Sequence, residues 1–375
     1  MKNPVTIVGA GLGGLILARV LHLNGFPVTV YEGELSPESR TQGGQLDIHL
    51  HNGQIALDIA KLTKEFRSII HEGAEATRIL GKDANVLFEE ADGGSRNRPE
   101  VLRGDLRRIL RESLPDGAIQ WGKKLTSATS LGDGRHTLLF ADGTSVVTSV
   151  LVGADGAFSK VRALVSTAIP TYTGTAFIDT FLHDVETRHS ETVRQVGAGA
   201  MYAFAPGQGI VAHREAGNII HTYIQLVRPL EWVQSIDFNN PEGAKARIAA
   251  EFAGWADPLT TLITNSDTAP VLRLIYSLPD NHRWDRVPGV TLIGDAAHLM
   301  PPSGEGANLA MLDGAELGEA IAKHPDDIEA GFAAYEATMF SRSASEAIDA
   351  HQLIDLCLGS TAPHGLVQFF KSANG

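Results

Sequence analysis

Three glycines near the start of the chain, Gly9, Gly11 and Gly14, have the G-x-G-x-x-G spacing of a diphosphate-binding turn. They follow residues 5–8, whose β-branched side chains are typical of a strand buried on both faces. The first glycine allows the tight turn, the second lets a pyrophosphate approach the backbone, and the third lets the next helix lie close to the sheet. The free N–H groups of that helix end carry about half a positive charge, which favours an anionic ligand.

Glu32 ends the next β-prone run, residues 28–31. A carboxylate at this place accepts hydrogen bonds from both ribose hydroxyls of an adenosine. The order of strand, glycine turn, helix, strand and acid predicts a dinucleotide site, which includes Leu12 and Gly13 inside the turn. The sequence contains a single G-x-G-x-x-G and no CxxC pair, so we expect a resident flavin that a nicotinamide visits transiently.

A second stretch with chemical character runs from residue 294 to residue 308 and reads GDAAHLMPPSGEGAN. The strand predicted at 289–293 ends on Gly-Asp, so Asp295 lies at the carboxyl edge of the sheet, where it can accept hydrogen bonds from ribityl hydroxyls. Glycines leave N–H groups free at the start of the following helix, and such a helix end stabilises negative charge on a reduced redox ring. The predicted cofactor residues here are Gly306, Ala307 and Asn308.

Composition limits the class of protein. A chain of 375 residues is long enough for about two domains and a large core. The formal net charge of −13 argues against nucleic acid and anionic membranes as partners. Cys357 is the single cysteine, so the chain has no disulfide framework and no thiolate metal site. Residues 5–23 are the most apolar segment, but glycines, Arg19 and His22 interrupt them, and we expect a cytoplasmic protein without a membrane segment.

The hydrophobic periodicity predicts an α/β fold. It comprises a Rossmann-like dinucleotide-binding domain of three layers, with a mostly parallel sheet and a β-meander, an antiparallel-sheet substrate domain, and C-terminal helices. The predicted ranges are 1–72, 98–170 and 271–340 for the first domain, 73–97 and 171–270 for the second, and 341–375 for the C-terminal helical segment.

A predicted helix after Pro99 carries three arginines that recur every four residues, Arg103, Arg107 and Arg111. Such a stripe is typical of a solvated helix face, which is our interpretation of Arg107 and Arg111.

The chain resembles the FAD-dependent aromatic hydroxylase superfamily, the para-hydroxybenzoate hydroxylase class. The residues that carry the resemblance follow the family's order: Gly9-Ala-Gly-Leu-Gly-Gly14 with Glu32, Gly153-Ala-Asp-Gly156 with Lys160-Val-Arg162, and Gly294-Asp295 with Pro301-Pro302. Within that superfamily, residues 43–49, 102–107 and 294–302 are most similar to the tetracycline-inactivating flavin monooxygenases.

This resemblance implies bound FAD, transient NADPH and O₂ as a co-substrate. It also implies that Asp47, Arg103 and Asp295 contact FAD. Arg40 would help to receive NADPH, and Asp155 would lie near the flavin pyrophosphate and the nicotinamide path.

The substrate residues depart from that group. The strand expected at 199–203 lacks the group's arginine, and Asp179 replaces its glutamine, whereas His221 stands where the group has a substrate-facing histidine. Tyr223 shares a strand face with His221. The predicted substrate residues are Asp179, His221, Tyr223 and Pro302. We expect the Asp179 carboxylate to repel an anionic substrate rim and to favour a cationic group.

These observations predict a monooxygenase that hydroxylates a multi-ring phenolic or enolic substrate on the flavin, with tetracyclines as first candidates and no metal. The alternatives are a hydroxylase of a smaller phenol or of a polyketide intermediate, a flavin reductase that does not oxygenate, and a flavin- or drug-binding protein. A flavin halogenase is disfavoured because the four tryptophans are isolated and no W-x-W-x-I-P signature is present.

Overall fold

The structure is a computed structural model that describes residues 2–39, 44–71, 76–91, 93 and 98–373. The strands are β1 (Val5–Val8), β2 (Val28–Tyr31), β3 (Gln45–Asp47), β4 (Thr77–Leu80), β5 (Val86–Glu90), β6 (Glu100–Leu102), β7 (Ile119–Gln120), β8 (Leu125–Ser130), β9 (His136–Phe140), β10 (Ser145–Thr148), β11 (Leu151–Gly153), β12 (Thr171–His183), β13 (Ala200–Ala205), β14 (Gln208–Glu215), β15 (Ile219–Val227), β16 (Val271–Ser277) and β17 (Val290–Leu292).

The helices are α1 (Leu12–Leu23), α2 (Gly53–Ile59), α3 (Thr63–Arg67), α4 (Arg103–Glu112), α5 (Val185–Arg188), α6 (Ser190–Val196), α7 (Leu230–Gln234), α8 (Pro241–Ala249), α9 (Asp257–Thr264), α10 (Asp295–His298), α11 (Glu305–Lys323), α12 (Ile328–Leu358) and α13 (His364–Ala373). Short 3₁₀-helices lie at Arg162–Leu164 and Ala250–Phe252.

The described chain divides into two compact units. The first comprises residues 1–70, 101–171 and 276–349, and the second comprises residues 71–100, 172–275 and 350–375. The end of α12 and the whole of α13 therefore group with the second unit instead of forming a segment of their own. In the described part of the chain, no helix is long and apolar enough to cross a membrane.

A parallel sheet organises the first unit, with strand order β17-β11-β1-β2-β7. Its central strand β1 is buried along its whole length, as its β-branched composition predicts. The antiparallel meander β8-β9-β10 packs on this sheet through Phe140, whose ring centroid lies 4.8 Å from that of Tyr31. The prediction of an α/β fold with a mostly parallel sheet and a meander is confirmed.

Helices α1 and α11 pack closely because glycines line their contact. A Cβ atom on Gly13 would lie 2.5 Å from the Ala310 carbonyl oxygen, and one on Gly314 would lie 2.3 Å from the Gly13 oxygen. Further along both helices, a Cβ on Gly318 would lie 2.7 Å from a Val20 methyl carbon. The contacts advance in the same direction along both helices, so their N-termini lie at the same end.

The second unit is built on a sheet with strand order β16-β12-β15-β14-β13-β4-β5. The pairs β12–β15, β15–β14 and β14–β13 are antiparallel, whereas β13 and β4 are parallel. One face is apolar: residues such as Ile178, Ile220 and Ile224 are fully buried and pack with helices α8 and α9. The predicted antiparallel-sheet domain is confirmed.

Candidate functional site

The glycine turn between β1 and α1 has the geometry that its spacing predicts. Gly9 has a φ of 109°, and a Cβ atom there would lie 2.2 Å from the Ala154 carbonyl oxygen. A Cβ on Gly14 would lie 2.1 Å from the Gly9 oxygen, so these two glycines are required by the fold itself. At Gly11, by contrast, no described atom would lie within 4 Å of an added Cβ, so that side of the turn is open to a ligand.

Glu32 holds this turn through both of its oxygens. The Ala10 N–H donates to Oε2 over 2.7 Å, and the Glu34 N–H donates to Oε1 over 2.9 Å. Because the side chain is only 15% exposed, the carboxylate is fixed at the end of β2, beside the open face of the turn. Each oxygen retains a lone pair that a ribose hydroxyl can use.

Arg107 of α4 contacts the glycine turn, and its assignment to a solvated stripe is wrong. The side chain is buried, and its Nε donates to the Ala10 carbonyl oxygen over 3.0 Å. Its Nη1 donates to Glu34 Oε2 over 2.7 Å, because α4 begins at Arg103 and turns the fourth residue after it toward β2. Arg111, one turn further, keeps a side chain that is 28% exposed.

The segment after β11 is tied to α10 by Arg162. Its buried guanidinium donates to the carbonyl oxygens of Ala296 (2.8 Å) and of Asp295 and Ala157 (both 2.9 Å). Asp155, in the same segment, accepts hydrogen bonds from the Ser159 hydroxyl and the Lys160 N–H. Burial raises the pKa of the Asp155 carboxyl, although these hydrogen bonds oppose the shift. The Gly-Ala-Asp-Gly motif thus supports the turn that carries Asp295.

Asp295 begins α10 directly after Gly294, which has a φ of 59°. Desolvation by the surrounding protein raises the pKa of its carboxyl, and the charges of His298, Arg103 and Arg162 oppose this shift. The residue is nevertheless exposed to solvent. A group that is both surrounded by protein and open to solvent lines a concave surface, as a cofactor-binding carboxylate must.

Behind Asp295 lies a buried charge network that was not predicted from the sequence. His298 Nε2 lies 2.6 Å from Asp313 Oδ2, which also accepts the Gly294 N–H over 2.9 Å. Arg342 donates to the other Asp313 oxygen over 2.9 Å. Burial alone would raise the pKa of Asp313 and lower that of His298, but their mutual attraction outweighs it and shifts both pKa values the opposite way. The network fixes the backbone that presents Asp295.

Asn308 ties the first turn of α11 to β3. Its side chain is fully buried, its Nδ2 donates to the Asp47 carbonyl oxygen over 2.9 Å, and its Oδ1 accepts the His49 N–H over 2.9 Å. No described atom lies within 4 Å of a Cβ placed on Gly306, so the N-terminus of α11 has an open side.

His49 bridges two carboxylates next to this helix end. Its Nε2 lies 2.8 Å from Asp47 Oδ2, and its Nδ1 lies 2.7 Å from Glu305 Oε1. Burial by itself would lower the pKa of His49, but the hydrogen bonds and charges of Asp47 and Glu305 raise it to about 9. His49 is therefore an imidazolium at neutral pH. His51 lies 3.9 Å from Glu305, and these three groups could approach a metal ion, but His49 already uses both ring nitrogens.

These features of the first unit fit FAD. The N-termini of α1 and α11 lie at one end, where a Cβ on Gly11 or Gly306 would point into open space. Helix N-termini bind diphosphates and stabilise anionic rings. Glu32, held in place by hydrogen bonds, supplies a carboxylate for ribose hydroxyls. Asp295, on a concave surface, supplies one for ribityl hydroxyls.

In the second unit, β12 and β15 carry polar and aromatic side chains on the sheet face opposite Ile178, Ile220 and Ile224. His221 is 2% exposed, and its ring lies between those of Phe181 (centroids 4.0 Å apart) and Tyr223 (4.1 Å). Its Nδ1 lies 2.9 Å from Glu215 Oε1. A carboxylate at Nδ1 keeps the proton on that nitrogen, so in the neutral ring Nε2 is an acceptor.

Asp179 lies on the neighbouring strand of the same face and is 3% exposed. Arg273 of β16 donates a hydrogen bond from Nε to Asp179 Oδ2. The expectation that Asp179 repels an anionic group and favours a cationic one is therefore wrong, because Arg273 of β16 compensates its charge. The strand β13, which covers residues 200–205, contains no arginine.

A match over residues 2–336 relates this chain to the family described as FAD binding domain. The chain belongs to this family, that of the para-hydroxybenzoate hydroxylase-like enzymes. The protein is thus an FAD-dependent monooxygenase of the aromatic hydroxylase class.

Its relatives cover nearly the whole chain. It is 27% identical to the monooxygenase asqM of Emericella nidulans, over 94% of this chain and 95% of that protein. The structure of Klebsiella pneumoniae HpxO with FAD and uric acid superposes with a TM-score of 0.81 at 21% identity, covering 99% of this chain and 92% of the other. Tetracycline destructase Tet(51) gives a TM-score of 0.73 at 17% identity, covering 98% and 94%. These two structures are evidence for a common fold.

The remaining predicted residues of this flavoprotein are placed as follows. Arg40 lies outside the described residues. Leu12 and Gly13 are buried in the first turn of α1, Ala307 is half-buried in α11, and Pro302 is exposed in the segment before α11. The ligand contacts of all these residues, and of Asp47 and Arg103, stay predictions.

Several residues that hold the predicted ones in place were not predicted from the sequence: Arg107, Arg162, Asp313, His49, Glu305, Glu215 and Arg273. Only two of these residues could have been found from the sequence. Arg162 belongs to a recognised motif, and Glu305 interrupts a glycine-rich turn with a charge. The partners of the others lie on distant segments.

Proposed function

We propose that this enzyme uses NADPH and O₂ to hydroxylate a multi-ring substrate that carries a phenol or an enol, and that tetracyclines are the first candidates. The balance is substrate, NADPH, a proton and O₂ giving hydroxylated substrate, NADP⁺ and water. Bound FAD would supply the redox chemistry, which comprises hydride uptake from NADPH and transfer of one oxygen atom of O₂ to the substrate.

The observation that carries this proposal is the Glu215–His221 pair. Glu215 orients the imidazole, the rings of Phe181 and Tyr223 hold it on both faces, and Nε2 is buried. This arrangement supports a general base that takes the proton from a substrate hydroxyl, which makes the ring carbon more nucleophilic. A phenol or an enol is a substrate that needs such a base.

In the first unit, the chain contributes binding and electrostatics. The turn at Gly11 and the N-terminus of α11 supply N–H groups, and the His49 imidazolium adds a positive charge beside that helix end. These groups favour an anionic reduced ring over a neutral one.

The test is incubation of the FAD-loaded enzyme with tetracycline, NADPH and air. We expect NADPH oxidation above background and a product heavier by one oxygen atom. NADPH oxidation without that product would indicate a reductase. If neither tetracycline nor any of a panel of phenols stimulates NADPH oxidation, the protein would be a flavin- or drug-binding protein instead of an enzyme.

The His221→Gln variant tests the role of the base, with His324→Gln, an exposed histidine of α11's C-terminal end, as the control. Loss of a general base lowers kcat by about 100-fold or more. The loss should shrink at high pH, where the substrate hydroxyl ionises without help. A pH-independent loss would contradict a base at His221.

A further inference from the structure

The ion pair between Asp179 and Arg273 is asymmetric. Asp179 is 3% exposed, whereas the Arg273 side chain is 61% exposed. The Nε of this guanidinium donates to Asp179, which leaves its terminal N–H groups as further donors on a side chain that is mostly open to solvent. The pair thus presents donors to solvent and keeps its acceptor buried.

Two buried polar atoms next to this pair lack partners. Among the described residues, neither Asp179 Oδ1 nor His221 Nε2 makes a hydrogen bond. His221 Nε2 lies 3.9 Å from the other Asp179 oxygen, so the two unpaired atoms belong to one site. An unsatisfied buried polar group costs about 1–3 kcal/mol, which a ligand that supplies the missing partner recovers.

We propose that Asp179 and Arg273 recognise a cyclic amide, a lactam, whose N–H donates to Asp179 Oδ1 and whose carbonyl accepts from Arg273. Because His221 Nε2 lies 3.9 Å from Asp179 Oδ2, a hydroxyl on the ring position next to that N–H can donate to Nε2 at the same time. This inference rests on the proposed function and narrows its substrate class. Tetracyclines carry an open-chain carboxamide and an ammonium group, so phenols and enols that contain a ring amide replace them as first candidates for this site.

Other ligand groups match this site less well. A simple phenol satisfies His221 but leaves Asp179 Oδ1 unpaired. A carboxylate pairs with Arg273 but places its charge against the buried Asp179. An ammonium group pairs with Asp179 but is repelled by Arg273. A neutral donor next to a neutral acceptor satisfies both residues without a new charge.

The experiment is equilibrium dialysis of the FAD-loaded enzyme, without NADPH, against 8-hydroxy-2-quinolone and 8-hydroxycoumarin. These two compounds share their rings, their phenol and their carbonyl, and differ in a ring N–H that is replaced by oxygen. We expect the quinolone to bind about tenfold more tightly or better, because the coumarin leaves a buried carboxylate unpaired. N-methylation of the quinolone should abolish the preference, a test that needs no variant.

Two variants assign the preference to its residues. Asp179→Asn can turn an N–H toward the coumarin ring oxygen, so the preference should fall below about threefold. Arg273→Gln should weaken both ligands by a similar factor, because both carry the carbonyl. Arg188→Gln, which removes an exposed ion pair with Asp267 in the same unit, serves as the control and should change neither affinity.

Equal affinities in the wild type, binding of neither compound, or a preference that persists in Asp179→Asn would each overturn the lactam site. Failure of the proposed function gives a different result. Selective binding of the quinolone without any oxygenated product would retain the site and reject the monooxygenase substrate, whereas oxygenation of phenols without lactam preference would do the reverse.

Discussion

Arg107 is the residue whose removal should affect the glycine turn most. Its Nε holds the Ala10 carbonyl and its Nη1 holds Glu34, in a buried position. We expect Arg107→Ala to lower the free energy of unfolding by about 3 kcal/mol, because it leaves a carboxylate and a carbonyl without this donor, and to weaken FAD binding. Denaturant unfolding and FAD titration measure the two effects.

The matched control for Arg107 is its neighbour Arg108, which is 44% exposed and pairs with acids of its own helix. Exposed pairs of this kind contribute about 0.3–0.5 kcal/mol. Equal losses in Arg107→Ala and Arg108→Ala would mean that the bonds of Arg107 to the turn do not contribute to stability.

His49 gives the molecule a pH-dependent contribution to stability. Its pKa in the folded protein is about 9, above the ordinary value of 6.5, so its stabilisation is complete below about pH 6.5 and is lost as the pH rises through about 9. We expect the Tm difference between wild type and His49→Gln, both with excess FAD, to be large near pH 6 and small near pH 10. A difference that does not change with pH would contradict the imidazolium.

The sequence predicts the ligand-binding residues of a motif better than it predicts the residues that hold those binding residues in place. The spacing of Gly9, Gly11 and Gly14 is local, because a tight turn depends on consecutive residues. The four-residue spacing of the arginines identifies the helix face of Arg107, but its partner Ala10 lies on a distant segment. The contact between Arg273 and Asp179 was not predicted for the same reason, because the sequence of neither strand shows that β16 pairs with β12.

Among the elements, α1 and α11 decide where the cofactor can bind. Their glycine-lined contact sets both N-termini at one end, and Asn308 joins α11 to β3. The two motifs that are recognised separately in the sequence therefore act as one site. Helix α12 is continuous from Ile328 to Leu358.

Two glycines of the turn before α1 have different roles: Gly14 is required for folding, and Gly11 for ligand binding. A Cβ on Gly14 would lie 2.1 Å from the Gly9 oxygen, so Gly14→Ala should lower the Tm of the protein both with and without FAD. Gly11 has a φ of −75°, which alanine adopts easily, and its Cβ would meet open space. Gly11→Ala should therefore keep the Tm of the FAD-free protein and weaken FAD binding by about tenfold or more. Unchanged FAD affinity in Gly11→Ala would place the diphosphate elsewhere.

At the scale of the whole molecule, each unit is built from three separate segments of the chain, so each core depends on residues that are distant in sequence. The first unit contains the recognised motifs from residue 9 to residue 308, which is why composition and motifs were enough to predict its fold. The C-terminal residues were harder to place. Leu358, Leu366 and Val367 pack on Ile79, Phe204 and Val211 of the second unit. These partners lie more than a hundred residues earlier in the chain, and an amphipathic helix does not specify which apolar surface it covers.

The C-terminal helix α13 should therefore be an integral part of the second unit. Leu366 is 2% exposed, and Leu366→Ala should lower the free energy of unfolding by about 2–5 kcal/mol, because it removes buried methyl groups and leaves a cavity. Phe369, on the same helix, is 53% exposed, and Phe369→Ala should cost less than about 1 kcal/mol. Urea unfolding followed by tryptophan fluorescence, together with hydrogen exchange at β4, β13 and β14, measures both variants. If Leu366→Ala leaves the exchange of these strands unchanged, α13 does not stabilise the sheet, and residues 341–375 are better described as the separate helical segment that the sequence predicts.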